Sequence, residues 1–370
     1  MAELDAETMR GRFRGCLLAG AVGDALGNEI EFWSLAEIRR RLGPDGATGY
    51  VGGRALITDD TQMTLFTAEG MIRALVRLGE KGITDFRTVV HHAYLRWLHT
   101  QGRDWASIPA APGSAPDGWL VGETGLHHRR APGNTCLSAL GSGVAGTTTE
   151  PINNSKGCGG VMRAAPIGLL AANVEGAFTM GCQSAAITHG HPSGWLSAGV
   201  LAGAVTAILG GAEVREAVEA TRPSLESQPG HEETSAALDA AIALADRGMP
   251  SPEDLESLGG GWVGEEALAI AVCCAIAAPD LRTALLASVN HSGDSDSTGS
   301  ICGNLLGARF GESAIPAEWL APLDLADVIG RVADDLWTER FDSPIDPEAT
   351  TSGLPLSPSP AWWLERYPAH

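Results

Sequence analysis

Asp294-Ser295-Asp296-Ser297-Thr298-Gly299-Ser300-Ile301-Cys302-Gly303-Asn304-Leu305-Leu306-Gly307-Ala308-Arg309 opens on two carboxylates and several hydroxyls, then continues as a run of small and apolar residues. Far upstream, Thr58-Asp59-Asp60-Thr61 leads in the same way into Gln62-Met63-Thr64-Leu65-Phe66. Each stretch reads as an acidic N-terminus followed by an apolar helix. Taken singly, each is explained by capping, because Asp, Ser and Thr satisfy free backbone N–H groups and complement the helix dipole. If the two helix starts meet, four carboxylates converge and need protons or cations to compensate them. Oxygen donors without His or Cys suit Mg²⁺, Mn²⁺ or Ca²⁺ rather than Zn²⁺. The second stretch also imitates an EF-hand loop at Asp294, Asp296, Thr298 and Gly299, but the bidentate Glu required at the twelfth position is Leu305. An EF-hand is therefore excluded.

The same alternation of polar turn and apolar run extends along the chain. Helical spacing or composition predicts helices at 7–22, 61–79, 84–99, 159–172, 175–187, 193–209, 213–221, 232–247, 263–277, 280–288, 297–310 and 323–338. Strand-like alternation is weak and no βαβ rhythm or fixed repeat is visible. The expected fold class is all-α. Residues 101–135, rich in Gly, Pro, Trp and His, are expected to form a binding loop or lid. Residues 1–340 read as one domain, and 341–370 as a Pro/Ser-rich tail docked through Trp362-Trp363.

With 370 residues, 44% of them hydrophobic, the chain can bury a large core. Its formal charge of −20 argues against an electrostatic nucleic-acid surface or anionic-membrane binding. The seven cysteines form no Cys-x-x-Cys pair, which predicts reduced, mostly buried thiols in a cytoplasmic protein. The N-terminus lacks the basic region of a signal peptide. Ser193 to Ala212 carries no charge and has the length of a membrane span. Its Ala, Gly, Ser and Thr content, without basic flanks, favours a buried core helix.

Three further segments carry chemistry. Gly23-Asp24-Ala25-Leu26-Gly27 leads to Glu29 and Glu31. Asn153-Asn154-Ser155-Lys156-Gly157-Cys158-Gly159-Gly160 precedes an apolar run, and such close glycines allow backbone N–H groups to approach a diphosphate. Neither Walker nor Rossmann spacing is present, and a structural turn is the competing explanation. Thr188-His189-Gly190-His191-Pro192 places two histidines without zinc-like partners, favouring capping or substrate hydrogen bonding over metal ligation. Trp262, in Gly260-Gly261-Trp262, reads as a core residue or as a flank to a ligand.

Taken in order, Gly-Asp-Ala-Leu-Gly, Thr-Asp-Asp-Thr, Ser-Lys-Gly-Cys-Gly-Gly-Val-Met-Arg, Thr-His-Gly-His-Pro and Gly-Asp-Ser-Asp-Ser-Thr-Gly resemble the ADP-ribosylglycohydrolase family across residues 15–310. That family includes ADP-ribosylarginine hydrolases and the dinitrogenase reductase-activating glycohydrolase. The resemblance implies a compact orthogonal all-α bundle with two Mg²⁺ or Mn²⁺ ions at helix N-termini. It assigns Thr58, Asp59 and Asp60 to one ligand triplet, and Asp294, Asp296 and Ser297 to the other, with Thr298 as an alternative hydroxyl. Glu31 matches a glutamate that approaches the metals and gates the site. Asn153, Asn154, Ser155, Lys156, Gly157, Cys158 and Gly159 match the loop around the ADP-ribose diphosphate and distal ribose. His189 matches a substrate-contacting histidine, and Gly133-Asn134-Thr135 resembles a further substrate loop.

The implied reaction is hydrolysis of the C1″ glycosidic bond of an ADP-ribosylated protein or small molecule, releasing ADP-ribose. Asp59, Asp60 and Glu31 are the candidate proton-transfer groups, their acid and base roles unassigned. The loop motifs look most like the arginine-specific branch. Serine-, nucleic-acid- and small-molecule-linked substrates are the alternatives, as is a non-catalytic or crystallin-like ADP-ribose binder.

Overall fold

The computed structural model describes residues 5–342 and 359–369. Its framework comprises α1 (Ala6–Gly27), α2 (Asp59–Lys81), α3 (Phe86–Thr100), α4 (Asn134–Gly141), α5 (Val174–Ala186) and α6 (Pro192–Leu209). It continues through α7 (Gly264–Ala277), α8 (Ser295–Phe310), α9 (Ala326–Phe341) and α10 (Ala361–Arg366), with shorter helices and 3₁₀ turns between. Among the described residues there is no strand, only an isolated antiparallel bridge between Gly157 and Val263. The all-α expectation is met.

The most extensive helix pairing joins α1 to α8 antiparallel. Gly15 faces Gly307, Ala19 faces Gly303, Gly23 faces Gly299, and Gly27 faces Ser295 and Asp296. A residue recurring every four positions stays on one helix face, so small residues at that spacing open a groove along it. A methyl group built on Gly23 would lie 2.0 Å from the Gly299 carbonyl oxygen, and one built on Gly303 would lie 2.1 Å from that of Ala19. The backbones are therefore in direct contact. This seam sets the C-terminal end of α1 against the acidic start of α8.

The uncharged segment forms α6, which is buried over nearly its full length among α5, α7, α8 and the short helix Ala165–Leu170. Gly199 and Gly203 admit Phe178 and Val174 of α5. The expected helix 159–172 is divided. Cys158–Gly160 is a 3₁₀ turn, and a regular helix begins only near Ala165, with Pro166 in its first turn. Gly160 lies where a methyl group would come within 2.6 Å of the Gly194 carbonyl oxygen, so tertiary packing holds the turn against the start of α6.

The irregular stretch 101–133 is fastened at its midpoint and near its C-terminal end. Asp117 accepts from Arg73 Nη2 at 3.0 and 2.9 Å, and the buried Glu69 accepts from Arg96 Nε at 2.9 Å. Arg130 donates to Asp324 Oδ2 at 2.6 Å and to the Ile57 carbonyl at 2.9 Å. Beyond α9, residues 343–358 of the expected tail lie outside the described residues. In α10, Trp363 is buried while Trp362 is 60% exposed. Trp363 Nε1 donates to Glu339 Oε2 at 3.0 Å, Tyr367 donates its hydroxyl proton to Asp335 Oδ2 at 2.5 Å, and the Arg366 guanidinium stacks 4.4 Å from the Trp119 ring. The tail segment thus docks on α9 through Trp363 and Tyr367 and on the irregular stretch through Arg366.

Candidate active site

Helix α2 starts on a carboxylate from another helix. The Asp24 side chain, fully buried near the end of α1, accepts from the Thr58 amide at 3.0 Å, the Thr61 amide at 3.1 Å and the Thr61 hydroxyl at 2.5 Å. Thr58 caps the helix itself, its Oγ1 accepting from the Asp60 amide at 3.3 Å. Asp59 and Asp60 therefore project from a fixed first turn. Across from them Asp294 caps α8, accepting from the Ser297 amide at 3.4 Å, while Asp296 accepts from the same amide at 3.0 Å.

Both helix starts line one cavity of about 710 Å³. Glu31, Asp59, Asp60, Asp294, Asp296 and Ser297 form its acidic wall. Gly133 and Asn134, at the start of α4, join Gly157, Cys158, Gly159 and His189 on the remaining walls. The Gly133 amide donates to Asp59 Oδ2 at 3.1 Å. Ala131, two residues before it, holds a left-handed φ of 47°, a strain on the order of 1–3 kcal/mol of the sort found at functional loops. Phe32 and Trp262 stack at the rim with ring centroids 5.5 Å apart.

Burial raises every carboxyl in this wall. It does so for Asp59, Asp60 and Asp294, with Asp296 the next contributor to each, and it raises Asp296 itself. Glu31 is pushed up to about 10 by burial and then by Asp296, Asp294 and Asp59. Asp24 rises to about 7 for the same two reasons, against the lowering effect of its Thr61 and Thr58 hydrogen bonds. One oxygen each of Glu31, Asp294 and Asp296 lies within 4.8 Å of the others, and Asp60 Oδ1, although buried, has no protein partner. Converging oxygen donors with uncompensated charge fit a hard divalent cation.

His189 is buried and neutral. Burial, then the Arg163 guanidinium, lowers its pKa to about 3. Thr188 Oγ1 accepts from Arg163 Nη2 at 2.7 Å and lies 2.8 Å from His189 Nδ1, against 3.4 Å from the Ala185 carbonyl. With Nδ1 accepting the Thr188 hydroxyl proton over the shorter of these two contacts, the ring proton would sit on Nε2. The Nε2 edge faces Gly157 and Gly159.

The other expected substrate residues lie away from the cavity. Asn153 Oδ1 accepts from the Ser155 and Gly190 amides, both at 3.0 Å, and Asn153 Nδ2 donates to the Thr188 carbonyl at 2.8 Å, clipping the loop together. Asn154 is exposed, and Ser155 Oγ meets Thr135 Oγ1 at 3.0 Å. Lys156 Nζ is held by Glu265 at 2.7 Å and Glu233 at 2.9 Å. The cation facing the cavity is instead Arg129. Thr298 uses its hydroxyl on the Ser288 and Asp294 carbonyls at 2.7 and 2.9 Å, so the hydroxyl on the cavity is that of Ser297. Sequence reasoning passed over Arg129, Phe32, the Arg163–Thr188 support of His189 and the role of Asp24. Only Asp24, a carboxylate embedded in a small-residue helix, left a recognisable signal.

Fold and cavity together define an all-helical protein with a buried acidic centre opposite a glycine-rich turn. The ADP-ribosylglycohydrolase family profile matches residues 5–344, and the chain belongs to that family. Hydrolysis of an ADP-ribose glycosidic bond is accordingly its class of reaction. It is 26% identical over 325 residues to the ADP-ribosyl-[dinitrogen reductase] glycohydrolase of Rhodospirillum rubrum, covering 85% of this chain and 90% of the relative. It is 24% identical over 346 residues to the ADP-ribosylarginine hydrolase Tri1 of Pseudomonas putida (strain GB-1), covering 90% and 80%. A solved ADP-ribosylglycohydrolase-related protein complex matches with TM-score 0.58 and 25% identity, over 90% of this chain and 100% of that one.

Proposed function

We propose that this chain is a divalent-cation-dependent hydrolase of ADP-ribosyl-arginine, cleaving the C1″ N-glycosidic bond to release ADP-ribose. The observation that carries this reading is the convergence of both acidic helix starts on one wall of a cavity whose other walls hold Gly157–Gly159, His189 and Arg129. A volume of about 710 Å³ suits a nucleotide-sized ligand.

Glu31, Asp294, Asp296 and Ser297 would hold one Mg²⁺ or Mn²⁺, and Thr58, Asp59 and Asp60 a second. Such ions, when bound, compensate the carboxylates and lower the pKa of a water. The remaining work falls to the protein. The glycine turn admits the diphosphate closely, Arg129 supplies its countercharge in place of Lys156, and His189 Nε2–H donates to a substrate oxygen. Asp60 Oδ1, buried and unpartnered, takes the proton of the attacking water, with Asp59 and Glu31 as the other candidates. The carboxylate wall stabilises positive charge developing at the anomeric carbon.

Arginine is favoured as acceptor because a guanidinium leaving group suits an acidic mouth and stacks on aromatic faces such as Phe32 and Trp262. The name of the Pseudomonas putida relative, ADP-ribosylarginine hydrolase Tri1, points the same way. The free cysteines suit a reducing, cytoplasmic setting. Incubation with defined arginine-, serine- and nucleotide-linked ADP-ribose tests the reading, with Mg²⁺ or Mn²⁺ and with chelator. The expected result is intact ADP-ribose from the arginine conjugate, abolished by chelation and restored by either ion. AMP as product, or full activity in verified metal-free protein, overturns it.

A further inference from the structure

Most arginines of this acidic chain are held by a carboxylate: Arg10 by Asp334, Arg39 by Glu253, Arg73 by Asp117 and Arg222 by Asp239. Arg103 and Arg129 are not. Among the described residues neither guanidinium donates a hydrogen bond or joins an ion pair, and both line a second cavity of about 320 Å³. The buried Leu98 and Gln101 of the preceding segment, with Leu137 of α4, complete its lining. Arg129 also lines the large cavity, so the two spaces adjoin at its side chain. Its backbone is fixed on both sides. The buried Gln62, near the start of α2, donates from Nε2 to the His128 carbonyl at 2.9 Å, and Arg130 donates to the Ile57 carbonyl at 2.9 Å. Gln62 Oε1 in turn accepts from Gln101 Nε2 at 3.0 Å, which ties both spaces to the helix that bears Asp59 and Asp60. Arg103 stands at the far end of α4, where a methyl group built on Gly141 would lie 3.1 Å from its Nη2. A helix C-terminus favours a cation there, and the guanidinium donors stay unspent.

We propose that this smaller cavity is an acceptor-recognition subsite, in which Arg103, with Arg129 at its border, takes the carboxylate of an acidic residue flanking the modified arginine of a polypeptide substrate. The inference rests on the hydrolase reading above and extends it from the bond cleaved to the chain that carries it. The acceptor leaves the anomeric carbon at the acidic centre. Residues 129–133 border that centre through Gly133, whose amide donates to Asp59 Oδ2 at 3.1 Å. A polypeptide passing this loop meets guanidiniums whose forked donors match a carboxylate. Charge complementarity names the occupant. A chain of formal charge −20 repels acidic partners in general, so two unspent cations beside the mouth select an acidic residue at that one spot. Arg129 is shared with the diphosphate side, whereas Arg103 belongs to the subsite alone.

The test follows hydrolysis by the full-length protein, with Mn²⁺ present, of free ADP-ribosyl-arginine and of three peptides whose ADP-ribosyl-arginine is flanked by Glu, Ala or Lys. The wild-type protein should show its lowest KM for the Glu-flanked peptide, with similar kcat for all three, and added salt should shrink the preference. Arg103→Glu should raise that KM at least about fivefold, the upper scale of one exposed charge pair, and lower it for the Lys-flanked peptide. The free conjugate should be unaffected. Arg247→Glu, the same change of charge at a residue lining neither cavity, should leave the order of the peptides intact. Equal KM for the three peptides, or a preference that survives Arg103→Glu, overturns the proposal. An equal loss on the free conjugate assigns the cavity to the nucleotide instead and overturns it too. In each of these cases turnover of the free conjugate leaves the hydrolase reading standing. If the wild-type protein does not hydrolyse the free conjugate, both readings fall together.

Discussion

Gly27 packs directly on the backbone of Asp296: a methyl group built on it would lie 2.3 Å from the Asp296 amide nitrogen. The end of the first helix is thereby brought against the first turn of α8, and Glu31 follows four residues later. Gly27→Ala should force the two helix ends apart and cost about 1–3 kcal/mol or more, the scale of overpacking a tight core. It should also weaken turnover by moving Glu31 relative to Asp294. Gly11→Ala, in the same helix but with nothing within 4 Å of its added carbon, should instead gain roughly 0.5–1 kcal/mol. Urea unfolding of the two variants checks this; equal effects would remove the seam from the explanation.

Asp59→Asn and Asp296→Asn should each reduce turnover at least about a hundredfold, the scale of losing a positioned electrostatic group. Their folds should survive, because Asn replaces the carboxylate without changing its volume and still accepts a hydrogen bond. Asp24→Asn should behave differently. Asp24 accepts from Thr58 and Thr61, so its loss should loosen the start of α2 and lower the melting temperature as well as turnover. Near-normal turnover in folded Asp59→Asn and Asp296→Asn would reduce both clusters to helix caps.

Glu31→Gln should weaken turnover while leaving at least one cation bound, since the aspartates remain. Without a cation Glu31 holds its proton to about 10 and Asp24 to about 7, so ion binding must displace protons. Apparent Mn²⁺ affinity should therefore rise with pH from about 6.5 to 8.5, and the slope should shrink in Glu31→Gln. Calorimetry in buffers of different protonation enthalpy measures the proton release. Loss of all binding would make Glu31 an indispensable ligand, and unchanged kinetics would leave it without a role.

His189 should remain neutral from pH 5 to 8 with its proton on Nε2, because burial and Arg163 hold its pKa near 3. An unfolded histidine titrates near 6.5, so the unfolded state takes up a proton that the folded state refuses. The contribution of His189 to stability is complete above pH 6.5 and is lost as pH falls from there toward 3. Nitrogen-15 spectra of the imidazole read both tautomer and titration. A midpoint near 6.5 would contradict the effect of burial and Arg163, and a proton on Nδ1 the Thr188 hydrogen-bond direction.

The sequence by itself determined the local events. Caps and small-residue runs located the long helices, because Thr58 and Asp294 satisfy amides within their own first turns. The ordered motifs carried the family, since each keeps its chemistry within a few consecutive residues. Tertiary structure decided which motif members share a space. Gly157, Cys158 and Gly159 reach the cavity, while Lys156, immediately before them, is drawn away by Glu233 and Glu265 from distant helices. Ser297 faces the cavity and Thr298 does not, because the Thr298 hydroxyl is taken up by the Ser288 and Asp294 carbonyls. Asp24 became a cap for another helix, and Cys158 a neighbour of Asp294, only when α1 met α8 along the Gly15-Ala19-Gly23-Gly27 seam and the glycine turn closed over it. Those pairings join residues remote in the chain, and their partners are fixed by the close packing of backbones, which no local spacing encodes.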